Sequence, residues 1–188
     1  MLIALHKPYG VLSQFTTDGS KYATLASFNL PPFVYPIGRL DADSEGLLLL
    51  SDEASLNNTL LLPEHRHPRT YHVQVEGIPD DDDIVLLQSG TLSIQDHIVL
   101  PCSARLLSNP KHGERMPPIR QRKYIPDSWI EMTLHEGKNR QVRKMTAAIG
   151  HPTLRLIRVA IGSFHLNDIE LGTWRELTNE ERLMVFER

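Results

Sequence analysis

An α+β fold built on a mostly antiparallel central sheet is the architecture that this 188-residue sequence predicts, and three observations lead to it. Strand-like and helix-like stretches are mixed, without the regular strand-helix alternation of a parallel sheet. Residues 69–77 and 129–135 alternate apolar with polar side chains, the mark of strands covered on one face. The length suffices to bury a core without disulfide or metal staples, as one domain over residues 1–188 or as two small lobes sharing a cleft.

Residues 2–5 read as a short apolar strand ending in the turn His6-Lys7-Pro8-Tyr9-Gly10. Four leucines in residues 46–50 predict a fully buried strand. A helix capped by Ser51 or Asp52 should follow, running to Leu62 with Leu56, Leu60 and Leu61 on one face and Pro63 as its stop. In 69–77 the alternation puts Tyr71, Val73 and Val75 on one side. The acids Asp80 to Asp83 sit where a helix dipole favours anions, so they read as a helix start that runs to Ser89-Gly90 rather than as a metal site.

A strand over 98–105 leads into 109–126, rich in Pro, Arg and Lys and without periodicity, which predicts a long ordered loop or an RNA-contacting excursion. Residues 129–135 turn Ile130, Met132 and Leu134 inward. Helical spacing over 139–149 makes Val142, Met145 and Ile149 apolar against Arg140, Arg143 and Lys144, with Gly150 at the stop. A strand over 154–161 and a last helix, opened by the capping box Thr178 and Glu181 and running to Phe186, complete the chain.

No apolar stretch is long enough for a membrane span, and no export signal follows Met1. The single cysteine, Cys102, cannot form an internal disulfide, which fits a reducing cytoplasm. The histidines, His151 among them, lack zinc-type spacing, so no metal is expected. A net charge of −3 does not advertise a nucleic-acid partner, but its distribution does. Residues 137–158 carry six cations (Lys138, Arg140, Arg143, Lys144, Arg155, Arg158) and no acid, and 111–123 adds five more against Glu114 alone. That segregation fits a phosphate-binding face, and it also fits an inert charged surface.

The segment Gly38-Arg39-Leu40-Asp41-Ala42-Asp43-Ser44-Glu45-Gly46 gathers three carboxylates and an arginine ahead of a buried strand. Acids at the entry of a core element are partly desolvated and so functional or costly. Composition alone leaves two plainer readings open: a capped turn whose polar side chains satisfy loose amides, and a divalent-metal loop, which lacks the alternating ligands of a calcium site.

Gly38-Arg39-Leu40-Asp41 followed by Ser44-Glu45-Gly46-Leu47-Leu48-Leu49 resembles the active-site motif of the RsuA-type pseudouridine synthases. The resemblance extends through His6 to Val11, Arg69-Thr70-Tyr71-His72-Val73, Glu136 to Met145 and Gly150 to Arg158, in family order over nearly the whole chain. Pro117-Pro118-Ile119-Arg120 and Ser128-Trp129 add to it, on the side of members acting on large-subunit ribosomal RNA. The resemblance implies the pseudouridine synthase fold, with two lobes flanking a catalytic cleft, and isomerisation of a specific uridine in ribosomal RNA by a cytoplasmic monomer without cofactor. Many relatives open with a small S4-type RNA-binding domain, whereas this sequence opens at the strand of Leu2, so substrate selection is expected to rest on the catalytic domain.

By the same resemblance Asp41 is the catalytic carboxylate, able to attack as a nucleophile without a metal, on base or sugar. Arg143 is the guanidinium that keeps it ionised, or else one more phosphate contact on a basic helix. Tyr71 stacks beside the extruded uracil, or else packs in the core. Base flipping costs a few kcal/mol, which contacts from Lys7, Arg39, Lys138, Asn139, Arg140, Gln141, Lys144, Arg155 and Arg158 should offset, helped by Arg115, Arg120, Arg122 and Lys123. Two rival functions share these residues: a silent RNA-binding or assembly factor, and a glycosidic hydrolase using Asp41 with Asp43 or Glu45 as acid and base.

Overall fold

The computed structural model describes residues 1–108, 110–119, 122 and 124–187, apart from the side chain of Pro63. Along the chain these form β1 (Leu2–Lys7), β2 (Tyr35–Pro36), β3 (Glu45–Ser51), α1 (Ser55–Leu61), β4 (Arg69–Glu76) and α2 (Asp81–Gln88). There follow β5 (Ser93–Ile94), β6 (His97–Ile98), β7 (Ser103–Leu107), β8 (Asp127–Leu134) and α3 (Gln141–Ala148). The chain ends with β9 (Thr153–Ile161), β10 (Phe164–His165), β11 (Trp174–Glu176) and α4 (Asn179–Phe186). It divides into two compact units, Met1–Arg69 with Ile157–Arg188, and Thr70–Leu156. Among the described residues no helix is long and apolar enough to cross a membrane.

In the first unit β1 lies between β11 and β3, antiparallel to both, and β3 pairs in parallel with β9 through Glu45↔Ile157 and Gly46↔Arg158. All seven residues of β3 are buried, as four consecutive leucines require when both faces of a strand are covered. Leu47 and Leu49 pack with Leu2, Leu56, Leu60, Phe164 and Val185 in one cluster. The capping box Thr178/Glu181 opens α4 as the sequence predicts. The sequence reading misplaces the start of α1. Ser51 completes β3, its hydroxyl accepting from Glu53 N–H, and the helix begins at Ser55 without a side-chain cap. Leu61 then turns outward while Leu56 and Leu60 are buried.

The second unit orders its strands β9, β4, β8, β7, with the residues of β9 before Ile157 belonging here. Antiparallel β7 and β8 pair from Ser103↔Thr133 to Leu107↔Trp129. One face of this sheet is the predicted apolar one: Val73, Val75, Ile130, Met132 and Leu134 pack against Leu87 of α2, Val142 and Met145 of α3 and Ile149 just after it. The acid run does start α2, by a reciprocal cap between Asp80 and Asp83. The single strand expected over 98–105 is instead the ends of two, β6 and β7.

Two features of the first unit limit what its sequence can be. At Gly46, φ is +105° and a Cβ would collide with the carbonyl oxygen of Arg158 on the neighbouring strand. Lys7 is fully buried, its Nζ donating to Val11 O (2.7 Å) and Pro8 O (3.1 Å). Burial pushes the Lys7 ammonium down to about 7, against the opposing pull of Glu45, Asp43 and Asp41.

Gly46→Ala should therefore destabilise the protein by ~3 kcal/mol or more, since the clash is with backbone and the left-handed φ is added to it; chemical denaturation checks this. For Lys7 the unfolded chain holds a proton between pH 7 and 10.5 that the folded chain has released. Its contribution to stability thus rises with pH across that window, by ~2 kcal/mol from pH 7 to 9 at 1.36 kcal/mol per unit. Lys7→Met should flatten that rise in denaturant titrations at each pH, and an unchanged slope would show that Lys7 is not its source.

Candidate active site

The Asp41 turn is fixed from several sides within the first unit. Ser13 Oγ accepts from Leu40 N–H (3.0 Å) and donates to Leu40 O (2.7 Å). Ser44 N–H donates to Asp41 O (3.0 Å), and Gly10 N–H donates to Ala42 O (2.7 Å). The backbone on both sides of Asp41 is thereby held, while Leu40 anchors it in the core and Arg39 lies exposed.

Desolvation of the motif's acids is uneven, and this corrects the sequence reading. Glu45 is buried at 2% exposure and Asp43 half-buried, but Asp41 is exposed. The cause is position: the fully covered strand begins only at Glu45, and Asp41 precedes the turn that enters it. Around the buried Lys7 ammonium the fold gathers Glu45, Asp43 and Asp41, whose charges favour its protonated form, and Arg158, whose charge opposes it. Lys7 is thus an internal cation held by two carbonyls, rather than the surface phosphate contact that the sequence predicts. Arg158 is likewise buried, and its Nε donates to Leu47 O at 2.8 Å.

The remaining predicted residues belong to the second unit. Tyr71 is half-buried on β4, against the apolar cluster. Arg143 is half-buried on α3 with its Nε shielded from solvent. Ahead of α3, the loop 137–140 is shaped by buried Gln141. Its Nε2 donates to Glu136 Oε1 (2.7 Å), and its Oε1 accepts from Lys138 N–H (3.0 Å). Arg140 takes a left-handed φ of +53° at the helix start and supplies no side-chain cap. Lys138, Asn139 and Arg140 consequently stand exposed at a helix N-terminus, where backbone dipoles and side-chain charge both favour an anion such as a phosphate.

Lys144 is half-buried, with Nζ donating to Gln95 Oε1 (2.6 Å). Arg122 pairs with Glu76 (3.0 Å), and its side chain is more than half exposed. Arg155 is buried and donates through Nη1 to Gly113 O (2.7 Å), so it braces a loop rather than facing outward. Arg120 and Lys123 lie outside the described residues. Sequence reasoning missed Ser13 and Glu136, which fix the two loops. Ser13 is separated by 27 residues from the Leu40 it brackets, and no local spacing signals such a pairing. Among the described residues, no three His, Cys, Asp or Glu side chains come together in a way that could hold a metal ion.

A family model described as RNA pseudouridylate synthase matches residues 1–148. The ribosomal large subunit pseudouridine synthase E of Xanthomonas campestris pv. campestris is 51% identical over 177 residues, 93% of this chain and 94% of the relative. Its counterpart from Vibrio vulnificus is 45% identical over 94% of this chain and 75% of its own length. Among solved structures, the crystal structure of a pseudouridylate synthase superposes with a TM-score of 0.80 at 25% identity, covering 98% of this chain and 73% of that one. With this fold, these motifs in this order and identities of that size, the chain belongs to the RNA pseudouridylate synthase family, isomerases that act on RNA.

Proposed function

We propose that the chain isomerises a specific uridine of large-subunit ribosomal RNA to pseudouridine in the cytoplasm, as a monomer without cofactor, and that Asp41 is the nucleophile. The observation that carries this reading is the presentation of Asp41: its turn is held at Leu40, Ala42 and Ser44 while the residue itself is exposed. The large-subunit substrate is argued from relatives named for it at 51% and 45% identity over nearly the whole chain.

The reaction breaks the C1′–N1 bond, turns the base and forms a C1′–C5 bond; the proton on C5 leaves to solvent and N1 gains one, so it needs no oxidant and no incoming water. A carboxylate can attack base or sugar without a metal, and a base must then take the C5 proton. The carboxylate must be ionised to attack, and the guanidinium of Arg143 is the residue assigned to keep it so. Tyr71 offers an aromatic face on which uracil can turn. Water must leave an exposed carboxylate before attack, and the flipped nucleoside itself displaces it. Phosphate contacts supply the free energy for flipping. The exposed Lys138, Arg140, Arg39 and Arg122 suit that task, with Asn139 beside them.

Asp41→Asn should lower pseudouridine formation at least ~1,000-fold, since the amide cannot attack, with RNA affinity changed less than threefold. Tritium release from 5-labelled uridine in ribosomal RNA and filter binding measure the two quantities. Turnover retained in that variant would overturn the assignment. Affinity should fall with salt at a log-log slope of about −3 for four phosphates, at ~0.7 per phosphate on single strands. The double variant Lys138→Ala/Arg140→Ala should reduce that slope by about 1.4, and a flat salt response in the parent would rule out phosphate as the main contact.

A further inference from the structure

The second unit has a second sheet face, opposite its apolar core, which carries His72, Gln74 and Glu76 of β4 and Asp127 and Trp129 of β8. Residues 110–119 of the excursion after β7 lie against this face. His112 is fixed there, its Nε2 and His72 Nδ1 sharing a hydrogen bond (2.8 Å), while His72 Nε2 meets Glu131 Oε2 (3.2 Å). Arg155 Nη1 holds Gly113 O from the sheet side. Excursion and sheet enclose a cavity of about 670 Å³, within the range of small-molecule sites. None of its lining residues belongs to the Asp41 turn.

The chemistry of the walls is mixed in an informative way. Trp129 and His112 form an aromatic corner, ring centroids 5.2 Å apart and planes inclined by 40°. Arg115, Arg122 and Arg155 line the cavity together with Glu76, Glu114 and Asp127; Arg122 is paired with Glu76, Gln74 donates to Asp127, and Arg115 and Arg155 donate to backbone carbonyls of the excursion. Three cations balanced by three acids leave no excess positive charge to hold a bare phosphate, and six charged side chains do not suit an apolar guest. A nucleotide matches all three wall types at once: a flat base for the aromatic corner, N–H donors for the acids and a phosphodiester for Arg122, whose side chain is more than half exposed.

Resting on the reading of the chain as an RNA isomerase, we infer that this cavity binds one unpaired nucleoside of the RNA, distinct from the uridine that reacts, and prefers a base with an exocyclic amino group. The preference follows from the carboxylates, which only accept hydrogen bonds. Adenine, cytosine and guanine each present an amino group to them, whereas uracil presents a single N–H between two carbonyls that the acids repel.

The chain has two tryptophans, so Trp174→Phe leaves Trp129 as the only indole reporter. Titrating that protein with single-stranded seven-nucleotide oligoadenylate should give saturable quenching, and oligouridylate should bind at least ~10-fold more weakly. In the parent chain, Trp129→Leu should weaken labelled oligoadenylate binding and raise KM for ribosomal RNA, each about 10-fold, the lower end of what one stacked base contributes, with kcat unchanged. Trp129→Phe should restore most of both, and Asp127→Asn should narrow the adenine-uracil preference at unchanged melting temperature. Absence of quenching, equal affinity for the two oligomers, or full affinity in Trp129→Leu would each overturn the inference. Tritium release by the parent separates this from the isomerase reading: turnover without quenching sinks the pocket alone, and quenching without turnover sinks the isomerase reading alone.

Discussion

Gly46 and Arg158 approach so closely across the parallel pairing of β3 and β9 that only a residue without Cβ fits, and the Asp41 turn is built on that approach. β3 has no exposed residue along which to slide, and a shift of register by one would turn every leucine to the opposite face. Once Gly46 is fixed, Glu45 and Ser44 are fixed as buried neighbours, and Ser44 N–H then reaches back to Asp41 O. Ser13 locks the other end through Leu40. The location of one exposed carboxylate is thus inherited from a backbone contact five residues downstream.

Lys7 shows why so charged a cluster is tolerated beside a leucine core. A buried ammonium is costly to desolvate, yet here it is met by two carbonyl oxygens and by the fields of Glu45, Asp43 and Asp41. Desolvation still dominates, holding Lys7 far below its ordinary value. The cluster is therefore cationic or neutral at Lys7 according to pH, within the physiological range. The same group ties the His6-to-Val11 turn to the first strand through the carbonyls of Pro8 and Val11.

Most of the fold was legible because its signals are local. The alternation in β4 and β8, the leucine run of β3, the acid run that opens α2 and the capping box of α4 all depend on residues within one turn or one strand. What was not legible depends on distant partners. β11 is three residues long and is specified by pairing with β1, not by its own pattern. Ser51 and Asp52 have the chemistry of helix caps, but pairing with Leu2 draws Ser51 into β3 and the N-terminal ammonium takes Asp52. At the site, the motif located the Asp41 turn, while burial of Lys7, Arg155 and Arg158 was hidden. A cation in the sequence reads the same whether a phosphate or a carbonyl meets it, and here Val11, Gly113 and Leu47 supply carbonyls.

The exposure of Asp41 bears on how such a site could choose its substrate. A carboxylate already enclosed would admit any uracil small enough to enter, and a single base offers few contacts by which to discriminate. One on an exposed residue loses its water only when a nucleoside is delivered to it, which requires flipping at a cost of a few kcal/mol. On the proposed reading, that cost is met by phosphate contacts such as those available at Lys138 and Arg140, and by any neighbouring nucleoside that finds its own pocket. Selectivity would then lie in the RNA surrounding the target rather than in the uracil. On that reading, a turn held at Leu40, Ala42 and Ser44 lets binding free energy from remote contacts assemble the reacting geometry.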